Sequence, residues 1–373
     1  MADVFEHIIG QPRVRDYLRT CIQQDKASQA SLFTGPLGSN KTQAAFCFAA
    51  ALLCQDGGCD VCETCERVLR RKHPDVHYLE PEGANGYVVD QIRAVIADVQ
   101  LAPIAAACKV YIINRCDLLG ISAANSFLKT LEEPPENVYF VLMARTQDSV
   151  LPTILSRCQV VPFRHIPPDE AAGFVSQYAG VDDRFAAIAI AAAGGSIHGA
   201  VDFCRSTERK ELRRSMLDTL AQMEHASEWD VLSASKDLTL ACKAPLDAVR
   251  IQQEEELAAA SDWLTKTAQK SIEQRNKREL SAKSIELFRQ LTAVAKSWLR
   301  DVLMVQAGQD DLTVNDDASD SIRRLASCVD EARIVSACQC LDKYDATIAY
   351  NVSAQTCMDA MLLELKTILY SRT

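Results

Sequence analysis

Through the first 165 residues, short apolar runs alternate with stretches whose apolar residues recur every three or four positions. The runs at 30–34, 76–79, 109–113, 139–143 and 159–163 predict strands. Between them, Ile92, Val95, Ile96 and Val99 fall on one helical face. A further helix is predicted to start with Ser122 as N-cap, to carry Phe127, Leu128 and Leu131, and to stop before Pro134-Pro135. Strands alternating with helices predict an α/β domain over 1–165, a parallel sheet with helices on both faces. Ile166-Pro167-Pro168 breaks the pattern. The following Ala-rich segment, 166–207, predicts a small helical domain in which Gly194-Gly195 separates two helices. From 208 to 373 strand signals nearly vanish, and amphipathic stretches such as 285–303 and 353–370 predict an all-α bundle interrupted by a polar loop at 308–320. No tandem repeat or low-complexity tract is present.

Length and composition fit two or three domains, since 373 residues exceed what one hydrophobic core usually serves. No run reaches the roughly 18 apolar residues that would span a bilayer. The opening Met-Ala-Asp-Val-Phe-Glu has no basic segment followed by an apolar one, so a cytoplasmic protein without membrane attachment is expected. The formal net charge of −10 argues against strong autonomous binding of nucleic acid, which rests on Lys and Arg neutralising phosphates. A protein partner is the better expectation.

Gly35-Pro-Leu-Gly38-Ser-Asn40-Lys41-Thr42 lies between a predicted strand and a predicted helix, the setting of a phosphate-binding loop. In such a loop backbone N–H groups cradle phosphates, Lys41 reaches the outer ones and Thr42 holds Mg²⁺. Asn40 stands where the usual pattern has its last glycine; Asn tolerates a left-handed backbone better than most residues. The alternative is a glycine-containing turn without ligand. A nucleotide hydrolase also needs acids at the end of a neighbouring strand, to bind Mg²⁺ and to manage the attacking water. The run at 109–113 ends instead in Asn114-Arg115. A neutral amide is a poor anchor for Mg²⁺, and a guanidinium cannot act as a base. Asp117 would substitute only if the strand end were displaced. Hydrolysis is expected to be lost, while binding of ATP without turnover stays open.

Four of the fifteen cysteines, Cys54, Cys59, Cys62 and Cys65, are spaced C-x4-C-x2-C-x2-C in a polar stretch interrupted only by Val61. Thiolates at that density suit a closed tetrahedral, structural Zn²⁺ site. The others, such as Cys21, Cys47 and Cys204, sit in apolar helical patterns and are expected in the core. His73, His77 and His165 are isolated and read as structural, and Glu254-Glu255-Glu256 as a solvated helix face.

Four strings together carry a resemblance: Ile8-Ile9-Gly10-Gln11, the 35–42 loop, Lys129-Thr-Leu-Glu-Glu-Pro-Pro135, and Leu155-Ser-Arg-Cys158. They resemble bacterial clamp-loader subunits of the AAA+ class, closely over about 205 residues. Farther along, the likeness is looser, through Trp298-Leu-Arg-Asp301 and the polar loop after it. The zinc spacing is similar to that family's zinc module. Motor subunits of the family carry Asp-Glu where this chain has Asn114-Arg115, and a sensing arginine near the place of Gly195-Ser196-Ile197-His198. The departures imply a member that does not hydrolyse ATP but helps place a sliding clamp on primed DNA within the polymerase III holoenzyme. The resemblance further implies a lid domain at 166–207 and a collar at 208–373. It implies gamma/tau and delta subunits as neighbours, and a role for Arg157 as an arginine reaching the ATP of an adjacent motor subunit. An active gamma/tau-type ATPase is the alternative.

Overall fold

The predicted strands form one sheet, seen in a computed structural model that describes residues 3–81, 86–260, 266–348 and 353–371. They are β1 (Ala30–Thr34), β2 (Val76–Leu79), β3 (Lys109–Ile113), β4 (Val138–Ala144) and β5 (Gln159–Pro162). Their order is β2-β3-β4-β1-β5 and every pairing is parallel. β4 runs one residue farther at each end than expected. β5 stops one residue earlier, although Phe163 N still donates to Thr34 O at 2.7 Å, so the difference is one of boundary only.

The helices of this region are α1 (Pro12–Gln23), α2 (Lys41–Leu53), α3 (Glu63–Leu69), α4 (Val89–Val99), α5 (Ile121–Glu132) and the single turn α6 (Pro152–Leu155). Successive strand side chains point to opposite faces. Phe33, Val110, Ile112, Val141 and Met143 therefore pack with the apolar residues of α2. Leu32, Tyr111, Ile113, Phe140 and Leu142 pack on the other face with Ile92, Val95 and Val99 of α4 and Phe127 and Leu131 of α5. With both faces covered, all residues of β1 and β3 are buried, as parallel sheets require.

The start of α5 corrects the sequence reading. Gly120, not Ser122, is its N-cap, and no side chain caps it. Ser122 lies inside the first turn. At the other end Glu133 leaves the helical region, with φ −131° and ψ 68°, ahead of Pro134.

The chain divides into two units, Met1–Phe174 with Ser196–His198, and Val175–Gly195 with Gly199–Thr373. Beyond β5 no strand occurs among the described residues. The helices there are α7 (Pro168–Ala179), α8 (Asp183–Ala192), α9 (Ile197–Arg205), α10 (Thr207–Gln222), α11 (Glu228–Ala260), α12 (Lys266–Gln306), α13 (Ser319–Cys328), α14 (Glu331–Thr347) and α15 (Ala354–Tyr370). The polar loop at 308–320 is more ordered than its composition suggests. It holds two 3₁₀ turns, and its end forms the start of α13. Asp301, fully buried on α12, accepts hydrogen bonds from Val314 N, Asn315 N and Asn315 Nδ2 at 2.8–2.9 Å. Trp298, one turn earlier, donates to Ser321 Oγ at 3.0 Å. Glu254 and Glu255 are exposed; the side chain of Glu256 lies outside the described residues. No single helix among the described residues is long and apolar enough to cross a membrane.

In the turn before β2, Asp75 is fully buried and accepts from the backbone N–H groups of Ile104, Ala105 and Ala106 at 2.6, 2.7 and 2.8 Å. Burial opposes its charge, but the three donors outweigh burial and hold the carboxyl below its ordinary value. A lowered carboxyl pKa contributes stability above the ordinary carboxylate range, and that contribution disappears as pH falls through the lowered value. Asp75→Ala should therefore destabilise the protein by about 1.5–3 kcal/mol at neutral pH. Urea unfolding of both proteins at neutral and strongly acidic pH checks this: the difference should shrink in acid.

Candidate functional site

The carboxyl ends of β1, β3 and β4 meet along one edge, because Thr34 pairs with Ala144 and Ile113 with Leu142. Ligand crevices in open parallel sheets lie at such edges. From the end of β1 the 35–42 loop turns into α2, whose first residue is Lys41. Gly35 can have no side chain: a Cβ there would lie 2.7 Å from Phe163 O. Asn40 adopts the left-handed conformation, φ 66° and ψ 22°. Its Nδ2 donates to Ile9 O at 3.3 Å.

Lys41 folds back onto its own loop. Its Nζ donates to Gly35 O at 2.5 Å, Pro36 O at 2.7 Å and Ser39 Oγ at 3.1 Å. Burial, with the positive charge of Arg145, brings its pKa down to about 8, partly offset by Asp117. The loop is strapped from outside by Gln11. Gln11 Nε2 donates to Ser39 O at 3.1 Å and to Arg164 O at 2.8 Å, and Gln11 Oε1 accepts from Arg164 N at 3.2 Å. One buried amide thus ties the loop to the segment after β5. The sequence held this residue in view within Ile8-Ile9-Gly10-Gln11 but gave no sign of the contact, which spans 153 positions.

At the end of β3 the nearest acid, Asp117, is already paired with a cation. Arg115, at φ 53°, grips Asp117 through Nε to both carboxylate oxygens at 3.1 Å and Nη2 to Oδ2 at 2.9 Å. Asp117 sits in the 3₁₀ turn Cys116–Leu118, and β3 ends at Ile113 as expected, so the strand end is not displaced. Asn114 Nδ2 donates to Glu80 Oε1 at 3.0 Å. Lys41 and Arg145 add positive charge beside the Arg115–Asp117 pair, which suits an anion better than Mg²⁺. Thr42 is half-buried at the first turn of α2, and His198 is exposed on α9.

Arg157 lies elsewhere. It follows α6 and precedes β5, which runs parallel to β1 with Ser31 opposite Gln159. It is therefore at the amino edge of the sheet, on the order of 15 Å along the strands from the 35–42 loop. From there it cannot serve its own loop.

The cysteine cluster joins α2 to α3. Cys54 follows α2, and Cys62 caps α3 by accepting from Cys65 N at 3.4 Å. The four Sγ atoms lie within 4.8 Å of one another, and Cys54 Sγ is 3.7 Å from both Cys59 Sγ and Cys62 Sγ. Four sulfurs about 2.3 Å from a tetrahedral Zn²⁺ would be about 3.8 Å apart, so the donor set fits that ion. Burial opposes ionisation of Cys54, but the backbone N–H groups of Cys59, Gly58 and Asp56 outweigh it and bring the thiol to about 7. Gly58, at φ 106°, lets the knuckle press on the N-terminal segment, since a Cβ there would lie 2.6 Å from Val4 Cγ2. Val4 N donates to Gly58 O at 3.0 Å, and His7 Nε2 contacts both carboxylate oxygens of Asp60 at 3.0 Å. Of the other cysteines, Cys47 and Cys204 are buried and Cys21 half-buried. His73 is buried, its Nδ1 accepting from Asp75 N at 3.2 Å, and His77 stacks on Tyr111.

A family model described as "DNA polymerase III, delta subunit" matches residues 10–167. The DNA polymerase III subunit delta' of Bacillus subtilis (strain 168) is 37% identical over 161 residues, 42% of this chain and 49% of that protein. Subunit tau of the same organism is 39% identical over 173 residues, 45% of this chain and 30% of that protein. The matches thus span less than half the length of either relative. Among solved structures, a DNA polymerase III gamma subunit-related protein from Thermotoga maritima aligns over 94% of this chain and 98% of its own, with 17% identity and a TM-score of 0.41.

Elemental analysis of the purified chain should find about one zinc per molecule, bound by Cys54, Cys59, Cys62 and Cys65. Cys62→Ser should abolish most of it and lower the melting temperature. At the 35–42 loop, retention of an anionic nucleotide should weaken as pH rises through about 8, where Lys41 loses its proton. Fluorescence titration with an ATP analogue between pH 7 and 9 checks the direction.

Proposed function

We propose that this chain, whose N-terminal domain belongs to the clamp-loader AAA+ family, is the delta-prime subunit of a bacterial DNA polymerase III clamp loader. It is a stationary member of a five-subunit ring that places the sliding clamp on primed DNA in the cytoplasm. Its neighbours are a gamma/tau motor subunit and the delta subunit. Residues 166–207 serve as the lid and 208–373 as the collar that joins the ring. Zinc is structural.

The observation that carries this reading is the Arg115–Asp117 pair. Where a motor ATPase places a metal-binding acid and a base, this chain has a neutral amide and a permanent cation bound to the nearby carboxylate. Loss of a general base alone reduces rate by roughly 10²–10⁴. The loop is formed and strapped, but Lys41 is held by its own loop oxygens rather than presented to a phosphate. The competing reading, an active gamma/tau-type ATPase, has in its favour Lys41-Thr42 and the identity with tau. The charge at the end of β3 opposes it.

Arg157 supplies the chemistry that remains. Placed at the amino edge, away from its own loop, it is available to a nucleotide held by an adjacent subunit. A guanidinium provided in trans stabilises transition-state charge and raises phosphoryl transfer by roughly 10³–10⁵ at the site it serves. Arg157→Ala should leave the melting temperature of the chain nearly unchanged. In the assembly with motor and delta subunits it should lower DNA-stimulated ATP turnover and clamp loading, the served site losing about 10³-fold or more. Turnover equal to that of the unaltered assembly would remove the assignment.

A further inference from the structure

Arg157 is not idle in the isolated chain. Its Nε and Nη2 both donate to Glu132 Oε1, and its Nη1 donates to Thr153 O at 2.7 Å and Ser156 Oγ at 3.2 Å. Those contacts use four of the five N–H groups of a guanidinium, one at Nε, one at Nη2 and two at Nη1. The partner carboxylate is itself oddly placed. Glu132 is the last residue of α5, where the open backbone carbonyls disfavour a negative charge. A cation such as Lys or Arg would suit that position better, and Arg157 provides one from 25 residues away.

We propose that Glu132 parks Arg157. Its carboxylate occupies the planar fork that a phosphate of the neighbouring subunit's nucleotide would take, and it must be displaced before Arg157 can act in trans. This inference rests on the trans role proposed above. Carboxylate and phosphate compete for one fork because each presents oxygens that accept from adjacent guanidinium N–H groups. The side chains are 29% exposed at Arg157 and 46% at Glu132, so the pair is partly hydrated and readily exchanged. A nucleotide phosphate carries more charge than the carboxylate and replaces it once the neighbour is docked. Thr153 O and Ser156 Oγ bind the other side of the guanidinium and keep it on the same surface during the exchange. Glu132 is thus a positioning residue with a braking effect. It keeps the arginine ordered, and it withholds the arginine until a nucleotide-loaded neighbour is present.

The test uses the assembly with motor and delta subunits, carrying the unaltered chain, Glu132→Gln, Arg157→Ala, or both substitutions. Gln keeps the length of Glu, loses its charge and is better tolerated at a helix C-terminus, so the fold is retained. At low ionic strength Glu132→Gln should raise DNA-stimulated ATP turnover about 1.5–5-fold, the range that release of an exposed ion pair supports. The gain should shrink as salt is added, because salt screens the parked pair in the unaltered chain. In the Arg157→Ala background Glu132→Gln should have no effect. Turnover lowered by Glu132→Gln, or unchanged at low salt, overturns the parking role while leaving the trans role standing. A normal rate with Arg157→Ala alone overturns the trans role and the parking role together.

Discussion

The pairing of Arg115 with Asp117 sets what the carboxyl edge of the sheet can do. Arg115 occupies a left-handed backbone position two residues after the end of β3 and spends three N–H···O contacts on one carboxylate. A guanidinium cannot take a proton from an attacking water. With Lys41 and Arg145 near, and Asp117 taken up by Arg115, the end of β3 favours negative charge. Such an edge can attract an anion, while the acid nearest the end of β3 is not available to Mg²⁺. The loop responds by closing on itself: Lys41 finds its acceptors in Gly35, Pro36 and Ser39.

The loop keeps its shape through a chain of ordinary contacts that begins at the cysteine knuckle. Gly58 and Asp60 bind the N-terminal segment through Val4 and His7. That segment then supplies Ile9 O to Asn40 and leads into Gln11, which straps Ser39 to Arg164. A structural zinc at the knuckle would thus steady the loop without touching it. This accounts for the 35–42 loop keeping its architecture where the proposed function draws on no phosphate chemistry there. On the proposed function the two edges of the sheet would have separate roles, the carboxyl edge as scaffold and the amino edge, with Arg157 and Glu132, as the chemically active face.

Elements made by local rules were legible in the sequence. Alternating apolar runs located all five strands within one residue, and the spacing of Cys54, Cys59, Cys62 and Cys65 placed four thiols in one cluster. Side-chain caps are less reliable guides, because Ser122 has a polar side chain near a helix start yet α5 opens one residue earlier at Gly120 without it. What stayed hidden is long-range polar pairing. Gln11 meets Arg164 across 153 positions and Asp75 meets Ile104 across 29. Arg157 meets Glu132 across 25. Hydrophobic periodicity carries no trace of such partners, and a polar residue in a predicted turn reads as solvated until the fold brings donors to it. Asp301 is the clearest case: it turns a loop that reads as merely polar into an ordered one.

The most direct test is steady-state ATP hydrolysis by the isolated chain with Mg²⁺, in the presence and absence of primed DNA. With Asn114-Arg115 following β3 and Asp117 held by Arg115, the chain should give no turnover above the uncatalysed background under either condition. Sustained multiple turnover at a rate typical of a motor ATPase would contradict the account and return the chain to the hydrolysing class.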